Sequence, residues 1–268
     1  MRYLLLSFLI VTANSCHEIS SNNQIQFADN QVVAHRGAWK TKGLPKNSIA
    51  ALKEAIRLNC TGSEFDVRMT VDNILIVTHD ADFGGLDIET STYSDLAKHK
   101  LPNGEILPTL KNFILAGMDN NSTTGLVCEL KPSKFEGREI KIADTALELV
   151  KELKAESYIS YYISFSYAMI KRIKEVNSNA KVLYLDGSKS PEQLKKDNIT
   201  GLDYLVNKLQ KKPEWITEAK HLGLVLNSWT ANSVEHIDWL LANNFDYITT
   251  DEPELALERI KSRTITSN

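Results

Sequence analysis

From Gln31 onward the chain alternates short β-branched and aromatic runs with amphipathic stretches of helical period, an order that admits few folds. Strand-like runs start at Gln31, Gly62, Leu126, Tyr161, Lys181, Leu202, Leu224 and Tyr247. Helical patterns run from Ser48 to Asn59, Leu110 to Met118, Arg138 to Lys154 and Tyr167 to Val176, and begin again at Pro191, Pro213, Ser233 and Glu254. Eight strands separated by helices predict an α/β fold, a TIM (β/α)8 barrel, because a closed parallel sheet leaves no edge exposed. An open doubly wound sheet is the other arrangement this alternation permits. A further extended run, Ile74 to His79, follows the second strand, and Phe83 to Leu107 carries no long period, so it reads as a small insertion after that strand. With 268 residues and 43% hydrophobic content, one domain over residues 31–263 can bury its own core.

The first residues differ in character. Met1-Arg2 is a short basic start, Tyr3 to Val11 is apolar, and Ala13-Asn14-Ser15 has the small residues of a cleavage site. This predicts a signal peptide over residues 1–15 and export to a periplasmic or cell-surface location. The apolar run is shorter than the about 20 residues a membrane-spanning helix needs. Cys16, followed by the polar stretch His17 to Asn23, resembles a bacterial lipoprotein processing site, which implies a lipidated thiol tethering a polar linker over residues 16–30. Ordinary secretory cleavage before Cys16 fits the same residues. Cys60 and Cys128 lie in or beside apolar segments and read as small buried hydrophobes, with no disulfide framework. The net charge of -3, scattered over both signs, offers no basic stripe for nucleic acid.

The chemistry concentrates in two strands. In Ser63 to Met69, Phe65, Val67 and Met69 share one face while Glu64, Asp66 and Arg68 share the other. Leu126 to Lys131 repeats the pattern, with Glu129 and Lys131 opposite Leu126, Cys128 and Leu130. Charged side chains facing a barrel interior must be paired or bound to metal. Glu64, Asp66 and Glu129 therefore either form a salt-bridge network with Arg68 and Lys131 or hold a hard divalent cation. His35 and His79 each end an apolar run at a turn, where a barrel presents its working groups, and an imidazole there can exchange a proton near neutral pH. The other histidines, His17, His99, His221 and His236, fall in the linker, insertion or helical stretches and read as surface residues.

These residues also carry a resemblance. The pieces His35-Arg36-Gly37, Asn47-Ser48, Glu64-Phe65-Asp66-Val67, His79-Asp80, Pro108-Thr109-Leu110, Glu129-Leu130-Lys131, Ile163-Ser164-Phe165, Trp229-Thr230 with Asn232, and Thr250-Asp251-Glu252-Pro253 stand in this order. Together they resemble the glycerophosphodiester phosphodiesterase family, from Val32 to Pro253. The resemblance implies a TIM barrel with an insertion after the second strand, His35 and His79 as the acid/base pair, and Glu64, Asp66 and Glu129 as ligands to one Mg2+ or Ca2+ ion. It further implies Arg36 and Lys131 on the phosphate of a small glycerophosphodiester, and no protein partner. Trp229 reads either as an apolar wall against glycerol carbons or as a core residue between barrel and helices.

Two departures from the family pattern bear on the substrate. Lys46 stands where the family has a glutamate, and either contacts phosphate or points away from Arg36. Phe83-Gly84-Gly85 replaces an Arg-x-Thr element after the second histidine. The expected reaction is metal-dependent hydrolysis to glycerol 3-phosphate and an alcohol. Lysophospholipid or glycerol-phosphate polymer cleavage at the same site, and a binding protein with weakened turnover, are the competing expectations.

Overall fold

The computed structural model describes residues 25–266. The predicted signal segment and Cys16 lie outside them. Eight parallel strands form the barrel wall: β1 (Val32–Ala34), β2 (Gly62–Met69), β3 (Gly125–Leu130), β4 (Ile159–Ser164), β5 (Val182–Tyr184), β6 (Gly201–Leu205), β7 (Val225–Trp229) and β8 (Ile248–Thr250). They pair in the order β7-β6-β5-β4-β3-β2-β1-β8. The seam between β7 and β8 has no continuous ladder. It is drawn together by backbone bonds at its two ends, Tyr247 N to Leu226 O (3.1 Å) and Ala231 N to Thr249 O (3.0 Å), and by Asn227 Nδ2 donating to Thr249 Oγ1 at 3.0 Å between them.

Strand alternation sorts the side chains as the sequence predicts. Phe65, Val67, Met69, Leu126, Cys128 and Leu130 join the large core between barrel and helices. Val33, Val127, Tyr161, Ile163, Leu183 and Leu185 form a separate cluster inside the barrel. Cys60 and Cys128 are free and buried.

Local chemistry sets where helices start and stop. Helices Ile49–Arg57, Leu110–Met118, Tyr167–Val176, Pro191–Lys196 and Val234–Ala242 begin after Ser48, Thr109, Ser166, Ser190 and Ser233, each of which accepts a bond from an amide of the first turn. Helix Ile49–Arg57 stops because Asn59 takes a left-handed conformation (φ 58°), two residues short of the end its periodicity predicts. Arg138–Glu152 likewise ends before a left-handed Lys154. Two short helices were not expected: Tyr93–Leu96 in the insertion, and Val206–Gln210, which starts directly where β6 ends, so Val206 opens a helix and does not extend the strand.

The insertion is a small folded unit. Leu75–Val77 pairs antiparallel with the end of β2, and Asp82–Phe83 pairs with Leu86–Asp87 around Gly84 and Gly85, both left-handed. Ile88, Leu96 and Leu107 bury themselves over Ile76 as a satellite core. Glu89 ties the unit to the segment after β3, accepting from Lys134 N at 3.1 Å and from the Ser133 hydroxyl. At the opposite end of the barrel, residues 26–30, which the sequence places in the linker, are fastened to its base. Gln26 N donates to Ser122 O (3.0 Å) and Ala28 N to Thr123 O (2.8 Å), while Asn30 Oδ1 accepts from Val32 N and Thr61 N.

Gly37 sits at φ 81° where the chain leaving β1 passes over helix Ile49–Arg57, and a Cβ there would lie 2.6 Å from the Ala51 carbonyl carbon. Gly37→Ala is expected to destabilise the protein by about 2 kcal/mol or more. The check is a lower urea midpoint with unchanged m-value.

Candidate active site

The C-terminal ends of the strands enclose a cleft of about 420 Å³, its open mouth included, lined by both histidines, two of the three carboxylates, both phosphate-binding candidates and Trp229. Glu64 and Asp66 come from β2 and Glu129 from β3, with Asp66 directly opposite Glu129 in the parallel register. All three are buried. One carboxylate oxygen from each lies within 4.8 Å of the others. That spread matches oxygens sharing one ion at bond lengths of roughly 2.0–2.6 Å.

Two cations face these three carboxylates. Lys131 Nζ lies 2.7 Å from Glu129 Oε1 and 3.2 Å from Asp66 Oδ1, and Arg36 Nε lies 3.3 Å from Asp66 Oδ2. Arg68, expected to join them, instead donates from Nε to the His79 carbonyl at 2.8 Å. The pairs leave one carboxylate uncompensated. Burial, then the Asp66 and Glu129 charges, push the Glu64 carboxyl well above its ordinary range, and its Oε1 is buried without a hydrogen-bond partner. Burial and the Asp66 charge push Glu129 to about 7 despite Lys131. Burial raises Asp66 as well, but Lys131, Arg36 and the Asn47 amide outweigh it and hold the carboxyl below its usual value. A divalent cation would relieve this repulsion and fill the orphaned oxygen, so Glu64, Asp66 and Glu129 fit as its ligands.

The loop after β1 supplies His35 and Arg36. Arg36 takes a left-handed conformation (φ 60°), which turns its amide onto Glu64 Oε2 at 2.8 Å. His35 Nδ1 meets Asp251 Oδ1 at 2.7 Å, and its Nε2 lies 4.0 Å from Glu64 Oε2. Asp251 follows β8. Burial opposes its charge, but the His35 bond, the Asn232 amide (2.7 Å) and the field of Lys46 hold its carboxyl down at about 2. An ionised carboxylate can only accept, so in the neutral ring Nδ1 carries the proton and Nε2 bears the lone pair. His79 is arranged alike, with Nδ1 2.7 Å from Asp80 Oδ1. Partial burial lowers its pKa from the usual value against the pull of Asp80.

Lys46 has a stacking partner. Its Nζ stacks 4.4 Å above the Trp39 ring, while Arg36 is steadied by Asp66. Trp229 belongs to the interior cluster, edge-on to Phe165 with ring centroids 5.5 Å apart, and donates from Nε1 to Asp203 O at 3.0 Å.

Four residues escaped the sequence reading. Asn47 clamps Asp66 twice, donating from Nδ2 to Oδ2 (2.8 Å) and accepting from the Asp66 amide (3.1 Å). Asp251 and Asn232 stood in the recognised motifs without an assigned role. Asp203, buried and lining the cleft, was flagged by no motif; its alternation with Leu202 and Tyr204 in β6 is the signal that places it inside.

Comparison with known proteins identifies the family and the fold. The family model for the glycerophosphoryl diester phosphodiesterase family matches residues 35–255. A glycerophosphodiester phosphodiesterase from Caldanaerobacter subterraneus subsp. tengcongensis is 26% identical over 247 residues, covering 86% of this chain and 97% of that protein. Among solved structures, a glycerophosphodiester phosphodiesterase from Parabacteroides distasonis superposes with a TM-score of 0.84 at 37% identity, covering 89% of this chain and 99% of that one. An Oleispira antarctica phosphodiesterase in complex with the product sn-glycerol-3-phosphate shares the fold, with a TM-score of 0.73 at 22% identity and coverage of 87% and 97%. The chain belongs to the glycerophosphoryl diester phosphodiesterase family.

Proposed function

We propose that this protein hydrolyses glycerophosphodiesters to glycerol 3-phosphate and an alcohol, with a divalent cation, Mg2+ or Ca2+, held by Glu64, Asp66 and Glu129. The single observation that carries this reading is the convergence of two carboxylate-oriented histidines, two cationic side chains and a charge-deficient carboxylate triad on one cleft. The cation supplies charge stabilisation for the non-bridging phosphate oxygens. Arg36 and Lys131 add fixed positive charge on the same anion, which would otherwise repel a nucleophile.

A P–O bond to the attacking oxygen forms while the P–O bond to the alcohol breaks. One proton leaves the attacking oxygen and one reaches the departing oxygen. His35 and His79, both lining the cleft with Nδ1 held by a carboxylate, serve these transfers through Nε2. Trp229 and Phe165 supply apolar surface for the carbon atoms of the substrate.

The test is release of glycerol 3-phosphate from a panel of glycerophosphodiesters, with and without each cation. Cation-dependent release by the intact protein, reduced at least about a thousandfold in both His35→Ala and Glu64→Ala, is the expected result. Release that survives either substitution or complete chelation would sink this assignment. Asp251→Asn should lower kcat roughly 10–100-fold with little change in KM, since it loosens the ring orientation of His35 without touching the phosphate site. Steady-state kinetics with both parameters resolved checks this. Cation binding to metal-free protein has its own pH signature. Glu129 rises to about 7, so protons compete below that pH; affinity should weaken as pH falls through 7, and binding at pH 6 should release protons. Calorimetry in buffers of different ionisation enthalpy reads that release directly.

A further inference from the structure

Asp203 is the one carboxylate of the cleft that no part of the proposed reaction uses. It projects from β6 into the barrel, with Asn227 opposite it on β7 and Leu185, just past β5, lining the same cleft. Its side chain is 99% buried by its 1% residual exposure, and neither Oδ1 nor Oδ2 has a hydrogen-bond partner. The neighbouring polar groups leave it little: Asn227 donates one amide hydrogen to Thr249 Oγ1 at 3.0 Å and its amide only partly offsets the burial of Asp203, while the Trp229 indole bonds to the backbone oxygen of Asp203.

A buried carboxyl without partners is costly, and native structures keep one where a ligand or water completes it. Burial, then the Glu129 charge, raise the Asp203 pKa well above the ordinary range, which favours the carboxylic acid form, with one donor and spare acceptor capacity. That is the complement of an alcohol hydroxyl, which also donates once and accepts. It is a poor complement for phosphate, which Arg36 and Lys131 serve in the same cleft. Between the two lies the edge-on pair Trp229 and Phe165, an apolar surface suited to C–H groups. Cationic groups, then an aromatic wall, then a lone hydroxyl partner: the cleft is graded for a phosphorylated polyol.

We infer that Asp203 is a specificity-determining residue that receives a free hydroxyl of the substrate's glyceryl moiety. The inference rests on the phosphodiesterase reading and adds to it the group that tells glycerol from a plain alkyl chain. A substrate lacking that hydroxyl leaves a buried carboxyl unpaired, which is how a site built for a hydroxyl rejects its deoxy analogue. Trp229, held through the Asp203 backbone, keeps its place when the side chain is changed, so the effect of a substitution is confined to the hydroxyl contact.

Binding separates this inference from the reaction itself. Calorimetry with the cation-loaded protein compares sn-glycerol 3-phosphate with n-propyl phosphate, which has the same carbon count and phosphate but no free hydroxyl. The intact protein should favour glycerol 3-phosphate about 10–100-fold. Asp203→Leu should reduce that preference to within about threefold while binding propyl phosphate as tightly as before, and Asp203→Asn, which keeps a donor and an acceptor, should retain most of it. Equal affinity of the intact protein for the two ligands overturns the inference without any variant, and would mean that water satisfies Asp203. An equal loss for both ligands in a folded Asp203→Leu also overturns it, assigning the residue to structure. Turnover of the glycerophosphodiester panel is scored apart from this, so a protein that prefers glycerol 3-phosphate yet cleaves no diester refutes the reaction and leaves the hydroxyl contact standing.

Discussion

Three carboxylates in one buried layer repel one another, and the site around them is arranged to offset that repulsion. Glu64 and Asp66 share the inner face of β2 and Glu129 faces Asp66 from β3, so the parallel register fixes them close together. Lys131 bridges two of them and Arg36 meets one, while the Arg36 amide bonds Glu64 and the Asn47 side chain bonds Asp66. The residual negative charge makes the layer a cation site; hydrogen bonds within the layer alone would leave Glu64 Oε1 without a partner. The same charges set the field around His79 and raise Asp203, so the acid/base groups and the proposed hydroxyl partner depend on the same layer.

The outer contacts are as specific as the inner ones. Asp251 orients His35, Asn232 orients Asp251, and Asn232 Oδ1 accepts from the Asp251 amide at 2.8 Å. These groups come from the loop after β1 and the ends of β7 and β8, so the weakly paired seam of the barrel carries the positioning of one histidine. Asn227 and Thr249, bonded across that seam, do by side chains what a ladder does elsewhere in the wall.

Much of this could be read from the chain because alternation is a local property. The inner and outer faces of β2 and β3 follow from residues two apart, and the helix starts follow from single capping residues such as Thr109 and Ser233. Helix ends were less legible, since a left-handed Asn59 or Lys154 is decided by one backbone angle that periodicity does not record. The insertion lacked a period because its core is a few side chains, Ile88, Leu96 and Leu107, brought together by a hairpin and short turns. Arg68 shares the predicted inner face, yet its reach lets it leave for the His79 carbonyl. The role of Asp251 was hidden for another reason: its partner His35 lies 216 residues away, and only closure of the barrel makes them neighbours.

The base of the barrel has a consequence for traffic. Val33, Val127 and the Tyr161 and Tyr247 rings, 5.4 Å apart, form an apolar floor beneath the cleft, and Phe27 reaches the far side of that floor from the strapped residues 26–30. A chamber stoppered at one end has a single doorway for entry and departure. With the glyceryl hydroxyl on Asp203, as inferred above, a diester would enter glyceryl end first, and its alcohol would stand nearest the door and leave ahead of glycerol 3-phosphate. The floor would thus give the products an order of departure by geometry, whichever oxygen attacks the phosphate.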